Sequence, residues 1–195
     1  MERPAVIVID MLNDFVSGEL RAERAGRIIQ PLRRLVEAAR KHGVPVIYSN
    51  DAHYSMDAEV VHKWGGHAIK GTPGAEVIPD LQPTERDFVV EKRTYSGFYE
   101  TGLEPLLRSL YKGEGVNTVI LGGLHTHMCV RHTSADAFFR GYKIVIAEDG
   151  VEAFTEEAHR EGLKYLKEVY NAEINAVDEI IKKLQKWLLP FQEPY

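Results

Sequence analysis

Apolar positions along this chain follow two alternating periods. The run Ala5–Ile9 (Ala-Val-Ile-Val-Ile) is continuous and apolar, the pattern of a strand buried on both faces. Ile28, Ile29, Leu32, Leu35, Val36 and Ala39 then recur at helical spacing, and Gly43 supplies a stop. The same reading predicts strands at Val44–Tyr48, Phe88–Val90, Val116–Leu121, Lys143–Ala147 and Glu173–Asn175. It predicts helices at Leu103–Tyr111, Thr126–Arg140, Thr155–Val169 with Thr155 as N-cap, and Val177–Leu188. The segment from Asp51 to Pro79 is rich in Gly and His with little periodicity, and reads as a long loop holding at most one short helix. Pro190–Tyr195 reads as a surface tail.

Strands separated by helical stretches of this length argue for parallel β-α-β units joined by right-handed crossovers. The expected product is a three-layer α/β/α domain with a mostly parallel six-stranded sheet, order 3-2-1-4-5-6, spanning residues 1–195 as one unit. No internal repeat, low-complexity tract or linker divides it. Hydrophobic residues at 44% and charged residues at 27% fit a globular chain of 195 residues. A net charge of -5 gives no electrostatic footprint for nucleic acid, and no apolar run reaches the ~20 residues a bilayer crossing needs. The N-terminus reads as a first strand rather than a targeting segment, so a cytoplasmic location is the default expectation. The apolar, aromatic C-terminal segment with Trp187, Leu188, Leu189 and Phe191 suggests a homo-oligomer; a terminal helix docked on its own sheet explains the same residues.

Polar residues gather where the predicted strands end: Asp10 after the first, Asp51 and His53 after the second, Lys92 after the third, and Cys129 past the fourth. Ligands of open parallel sheets bind outside the carboxyl ends of the strands, where strand order reverses. With order 3-2-1-4-5-6 that reversal falls between strands one and four, and Asp10 and Cys129 face each other across it. Cys129, the single cysteine, sits where a strand gives way to a helix, a place that biases a thiol toward thiolate. Free cysteine also packs as a small buried apolar group, Asp10 reads equally as a turn cap, and Lys92 as a solvated charge. Together the three make an acid/base, a cation and a nucleophile. Asp51, His53 and His67 offer one carboxylate and two imidazoles to a zinc-like divalent ion, with His62 as an extra candidate; histidines in a polar loop also simply hydrogen-bond.

Taken together, Ile-Asp-Met-Leu-Asn-Asp-Phe (9–15), Asp51-x-His53, Gly71-Thr72-Pro73-Gly74-Ala75-Glu76, Lys92-x-x-Tyr95-Ser96-Gly97-Phe98, and Gly122-Gly123-Leu124-His125 leading to Cys129 and Ala135-Asp136-Ala137 resemble the isochorismatase-like hydrolases, the family that contains nicotinamidases. The resemblance implies a catalytic triad of Asp10, Lys92 and Cys129. It implies a non-proline cis peptide between Leu124 and His125 that aims backbone N–H groups of His125 and Cys129 at an oxyanion. It further implies a small amide substrate, nicotinamide first; Phe15, Trp64 and Tyr95 read as its apolar walls, with core packing as the alternative role for each aromatic. Its metal, zinc in such a site, would sit on Asp51, His53 and His67, and its members suggest dimers or tetramers. Typical nicotinamidases place Gln at Leu12, Trp at Ala52 and Gly-Gly at Val16-Ser17, and carry a longer stretch before His67 with Trp-Pro. These departures spare the triad and bear on nicotinamide specificity and on the metal site. An N-carbamoyl or ureido substrate is therefore the alternative, followed by isochorismatase-type vinyl-ether hydrolysis and a catalytically silent binding protein.

Overall fold

A computed structural model describes residues 1–187 of the chain. Its centre is a six-stranded sheet of order β3-β2-β1-β4-β5-β6, every neighbouring pair parallel. The strands are β1 (Pro4–Ile9), β2 (Val46–Asp51), β3 (Phe88–Lys92), β4 (Thr118–Leu124), β5 (Lys143–Glu152) and β6 (Glu173–Asn175). The helices are α1 (Asn13–Val16), α2 (Ile29–Lys41), α3 (Leu103–Ser109), α4 (Cys129–Phe139), α5 (Glu156–Tyr170) and α6 (Val177–Trp187).

Side-chain alternation along β1 divides the core. Val6 and Val8 pack on the face covered by Leu32, Leu35 and Val36 of α2 and by Val177, Ile180 and Leu184 of α6. Ala5, Ile7 and Ile9 pack on the other face with Leu103 and Leu107 of α3, Val130 and Ala137 of α4 and Leu166 of α5. Helices thus cover both faces, which is why the central strands read as unbroken apolar runs. Thr155 caps α5 as its sequence foretells, its side chain accepting the Ala158 N–H at 3.1 Å. Docking of α6 on α2 and β5 accounts for the apolar face of the last helix; Leu188, Leu189, Phe191 and the tail 190–195 lie outside the described residues.

Strands two to five run farther than their apolar residues alone predict. Pairing carries them on: Asp51 lies opposite Lys92, Gly123 opposite Val151 and Leu124 opposite Glu152. In these last rungs the ladder, rather than the hydrophobic pattern, holds polar residues in extended form. α4 begins at Cys129, not Thr126, because His125 O takes the N–H groups of Met128 (2.9 Å) and Val130 (3.3 Å), folding 126–128 into a turn. Gly123 permits the closest approach in the sheet: at φ +110 its place allows no Cβ, which would fall 2.0 Å from Ile9 O.

Candidate active site

The carboxyl ends of β1, β2, β3 and β4 converge on one buried cluster. Asp10, just past β1, is held in the left-handed region (φ 53) and is fully buried, as are Lys92 and Asp51 to within 2%. Lys92 Nζ lies 2.8 Å from Asp10 Oδ2 and 2.5 Å from Asp51 Oδ1. The Asp51 N–H donates to Asp10 Oδ1 at 2.7 Å. Asp10 Oδ2 takes no aligned hydrogen bond among the described residues, which leaves one lone pair of that carboxylate open. Cys129 opens α4 with its thiol against this cluster: one ligand atom each from Asp10, Asp51 and Cys129 lie within 4.8 Å of one another. Lys92 fills the space between the carboxylates, so this trio is an ion-paired cluster and not a cation cage.

Burial dominates its electrostatics. It raises the Asp10 carboxyl, helped by the neighbouring charge of Asp51 and opposed by Lys92, to about 6. It also pushes the Cys129 thiol well above its ordinary value, against the pull of Lys92. The bias toward thiolate expected from the helix start is therefore overridden by loss of water: at rest the thiol is protonated and needs a base. Burial disfavours the Lys92 ammonium too, but Asp10 and Asp51 outweigh it and hold lysine charged. The same balance leaves Asp51 below the usual carboxylate range, Lys92 and His53 outweighing burial.

The Leu124–His125 peptide is cis, as the resemblance implies. Among the described residues no backbone carbonyl receives the N–H of His125 or of Cys129. Thr126 N–H is tied instead to Glu152 O at 2.8 Å, fixing the turn against the end of β5. Two unclaimed donors next to the thiol are what an oxyanion requires.

The second constellation also assembles. One ligand atom each from Asp51, His53 and His67 lie within 4.8 Å of one another, all three residues buried. His53 Nε2 is buried without a hydrogen-bond partner and stands 3.5 Å from Asp51 Oδ2, the oxygen Lys92 leaves free. Its Nδ1 faces Asp57 at 3.4 Å, and His67 Nδ1 donates to Gly65 O at 2.8 Å, so each ring is oriented through the nitrogen away from the centre. An orphaned imidazole nitrogen, a second imidazole and a free carboxylate oxygen fit a zinc-like ion. Asp14, held in α1, accepts the N–H of Ala68 at 2.7 Å and steadies the backbone beside His67. His62 is exposed and stands outside the group.

The three aromatic residues expected as walls are linked through neighbouring rings. Phe15 lies 5.7 Å from both His67 and His125, and Trp64 Nε1–H donates to Tyr95 OH at 3.1 Å. Sequence reasoning missed Phe154, which stacks on His125 at 4.2 Å and lies 6.0 Å from Trp64. Its signal was its place just after a strand, hidden because β5 was cut short at Ala147. Asp57 was missed as well; nothing local marks a carboxylate that braces a histidine four residues earlier. Leu12, where nicotinamidases carry Gln, is fully buried and pairs with Val77.

Comparison with known proteins identifies the fold and the family. The isochorismatase domain matches residues 4–178. The structure of N-carbamoylsarcosine amidase from Thermoplasma acidophilum is similar with a TM-score of 0.83 and 42% identity, covering 91% of this chain and 98% of that one. The pyrazinamidase of Pyrococcus horikoshii in complex with zinc superposes with a TM-score of 0.82 at 27% identity, over 89% and 99% of the two chains. Nicotinamidase 3 of Arabidopsis thaliana is 32% identical, over 83% of this chain and 79% of that protein.

Proposed function

The chain belongs to the isochorismatase family, and we propose that within it this protein is a cysteine-dependent amidohydrolase cleaving the C–N bond of a small amide through a thioester. The observation carrying this reading is the buried contact of Asp10, Lys92 and the protonated Cys129 thiol, with Asp10 Oδ2 open to take a proton. In the first half-reaction Asp10 Oδ2 accepts the thiol proton while Lys92 stabilises both anions. The sulfur attacks the amide carbonyl, and the N–H groups of His125 and Cys129 hold the resulting oxyanion, worth about 3 kcal/mol per donor in other hydrolases. Collapse breaks the C–N bond, and Asp10 returns its proton to the departing nitrogen as ammonia or amine. In the second half, Asp10 takes a proton from water, the hydroxide adds to the thioester, and the thiolate leaves and is reprotonated from Asp10.

Asp51, His53 and His67 would hold the divalent ion, proposed as zinc. When bound, it supplies a Lewis-acidic anchor for a substrate nitrogen or oxygen. The chain's own residues do the rest: Phe15, Trp64 and Tyr95 exclude water and flatten the substrate against the oxyanion donors.

Nicotinamide, giving nicotinate and ammonia, is the first substrate reading. A second, N-carbamoyl or ureido substrate is favoured by the 42% identity to an N-carbamoylsarcosine amidase, and by Leu12 and Ala52 in place of Gln and Trp. Ammonia release from nicotinamide and from N-carbamoyl amino acids, with and without chelator, tests the proposal. Release from at least one, lost in Cys129→Ala, is the expected result; no release from any small amide by metal-replete protein ends it.

A further inference from the structure

Two imidazoles beside the Asp10–Lys92–Cys129 cluster carry nitrogens that nothing in the described chain satisfies. His125 is 2% exposed and its Nε2 has no partner; Nδ1 of His127 is likewise buried and unpartnered. Their ring centroids are 6.3 Å apart, near enough for one carboxylate to accept from both. Both rest on Phe154, His125 stacked at 4.2 Å and His127 edge-on at 6.2 Å, and Phe15 closes the other side of His125. Buried polar atoms in native proteins are almost always paired, so a pair left open beside a reactive centre points to a ligand.

The charges reaching these rings indicate its sign. Burial, with His127 beside His125 and Arg131 beside His127, holds both imidazoles neutral, so each has an N–H to donate and no charge of its own. Lys63 lies over the Trp64 ring at 4.8 Å, and Trp64 in turn approaches Phe154. No acidic side chain of the described residues hydrogen-bonds either imidazole. With Arg131 bearing on His127 and no carboxylate paired to either open nitrogen among the described residues, a negatively charged acceptor fits both.

Resting on the amidohydrolase reading, we propose that His125 and His127 bind a carboxylate of the substrate, away from the scissile bond. The substrate is then an amide of an acid, of the N-carbamoyl amino-acid type, and a neutral aromatic amide is handled poorly. His125 thereby has two duties, its backbone N–H at the oxyanion and its ring at the carboxylate.

Calorimetric titration of zinc-loaded Cys129→Ala with N-carbamoylglycine and its uncharged carboxamide tests this. The acid should bind at least about tenfold more tightly, the worth of a charge-assisted hydrogen bond. His127→Ala and His125→Ala, each added to that background, should bring the ratio near one, and His127→Gln, which retains an N–H, should restore part of it. His127→Ala keeps the test open should His125→Ala fail to fold. A ratio near one in the parent, a ratio unchanged by both alanine variants, or a preference abolished by stripping the metal overturns the inference. Ammonia release by the Cys129-intact protein separates the two readings: turnover confined to neutral amides sinks the carboxylate site alone, whereas no turnover of any amide beside a retained binding preference sinks the hydrolase.

Discussion

Asp51 belongs to two neighbouring constellations that are built on opposite principles. Toward β1 and β3 it joins Asp10, Lys92 and Cys129, whose charges compensate one another within the chain. Toward the 53–67 segment it joins His53 and His67, where an imidazole nitrogen stays buried and unpaired. The first group hangs on the ends of parallel strands; the second depends on a loop braced by Asp14 and Asp57. The first is ion-paired within the chain, and the second presents the donor set that a divalent ion would complete. Chemistry that needs fixed geometry therefore sits on the sheet, while the tunable part sits on the loop.

The sharpest way to break this contrast is Cys129→Ala. Removing the proposed nucleophile from a preformed cluster should cost about 10⁴-fold or more in amide turnover, as loss of a catalytic nucleophile does elsewhere. The near-isosteric change should leave the circular dichroism spectrum and melting behaviour intact. Turnover surviving within tenfold of the parent would remove the thioester.

Lys92→Met probes compensation itself. It leaves Asp10 and Asp51 facing each other without a cation, and breaking a buried pair costs about 3–5 kcal/mol. Urea unfolding at pH 7 should show that loss, and part of it should return at lower pH as one carboxyl takes up a proton. A midpoint unchanged from the parent would mean that the cluster is not held by its charges.

Asp57→Asn tests the loop. Asp57 accepts the Tyr54 N–H at 3.0 Å, pairs with Arg93 and faces His53 Nδ1, and its carboxyl is held well below the usual range chiefly by Arg93. Losing the charge behind His53 should weaken divalent-metal affinity about 10–100-fold, read by competition with a fluorescent chelator. Cys129 alkylation should not change. Unaltered affinity would mean that His53 is oriented by its packing alone.

The same division decides what could be read from sequence. The strands and the polar residues that follow their apolar runs were legible because buried parallel strands announce themselves by such runs. Their order is not in those runs and entered as the usual arrangement of a doubly wound sheet, on which the meeting of Asp10 and Cys129 depended. The ends of those strands were not legible. Glu148-Asp149-Gly150 has turn chemistry, yet β5 continues through it by pairing with β4 after a register shift, and so Phe154 went unseen. The turn at Val60–Trp64 that brings Trp64 to Tyr95 is likewise a tertiary product with no local periodicity. His125 was legible for its backbone alone; only the fold turns its ring toward Phe154.

The smallest expected effect is also the one that separates the two constellations most cleanly. In the proposed mechanism Asp10 works as a base only when ionised, and burial with the nearby Asp51 charge raises its carboxyl to about 6. Below that pH the protonated form accumulates and cannot accept the thiol proton. With a substrate that does not titrate in this range, kcat/KM should fall about tenfold per pH unit below 6 and level off above 7. Alkylation of Cys129 by iodoacetamide draws on the same proton transfer and needs no bound ion, so its acid limb should fall in the same place in chelator-treated protein. Asp51→Asn, which removes a like charge from beside Asp10, should move the alkylation limb to lower pH. A limb that disappears on chelation would assign the titrating base to the metal side of Asp51 instead of to the strand-end cluster.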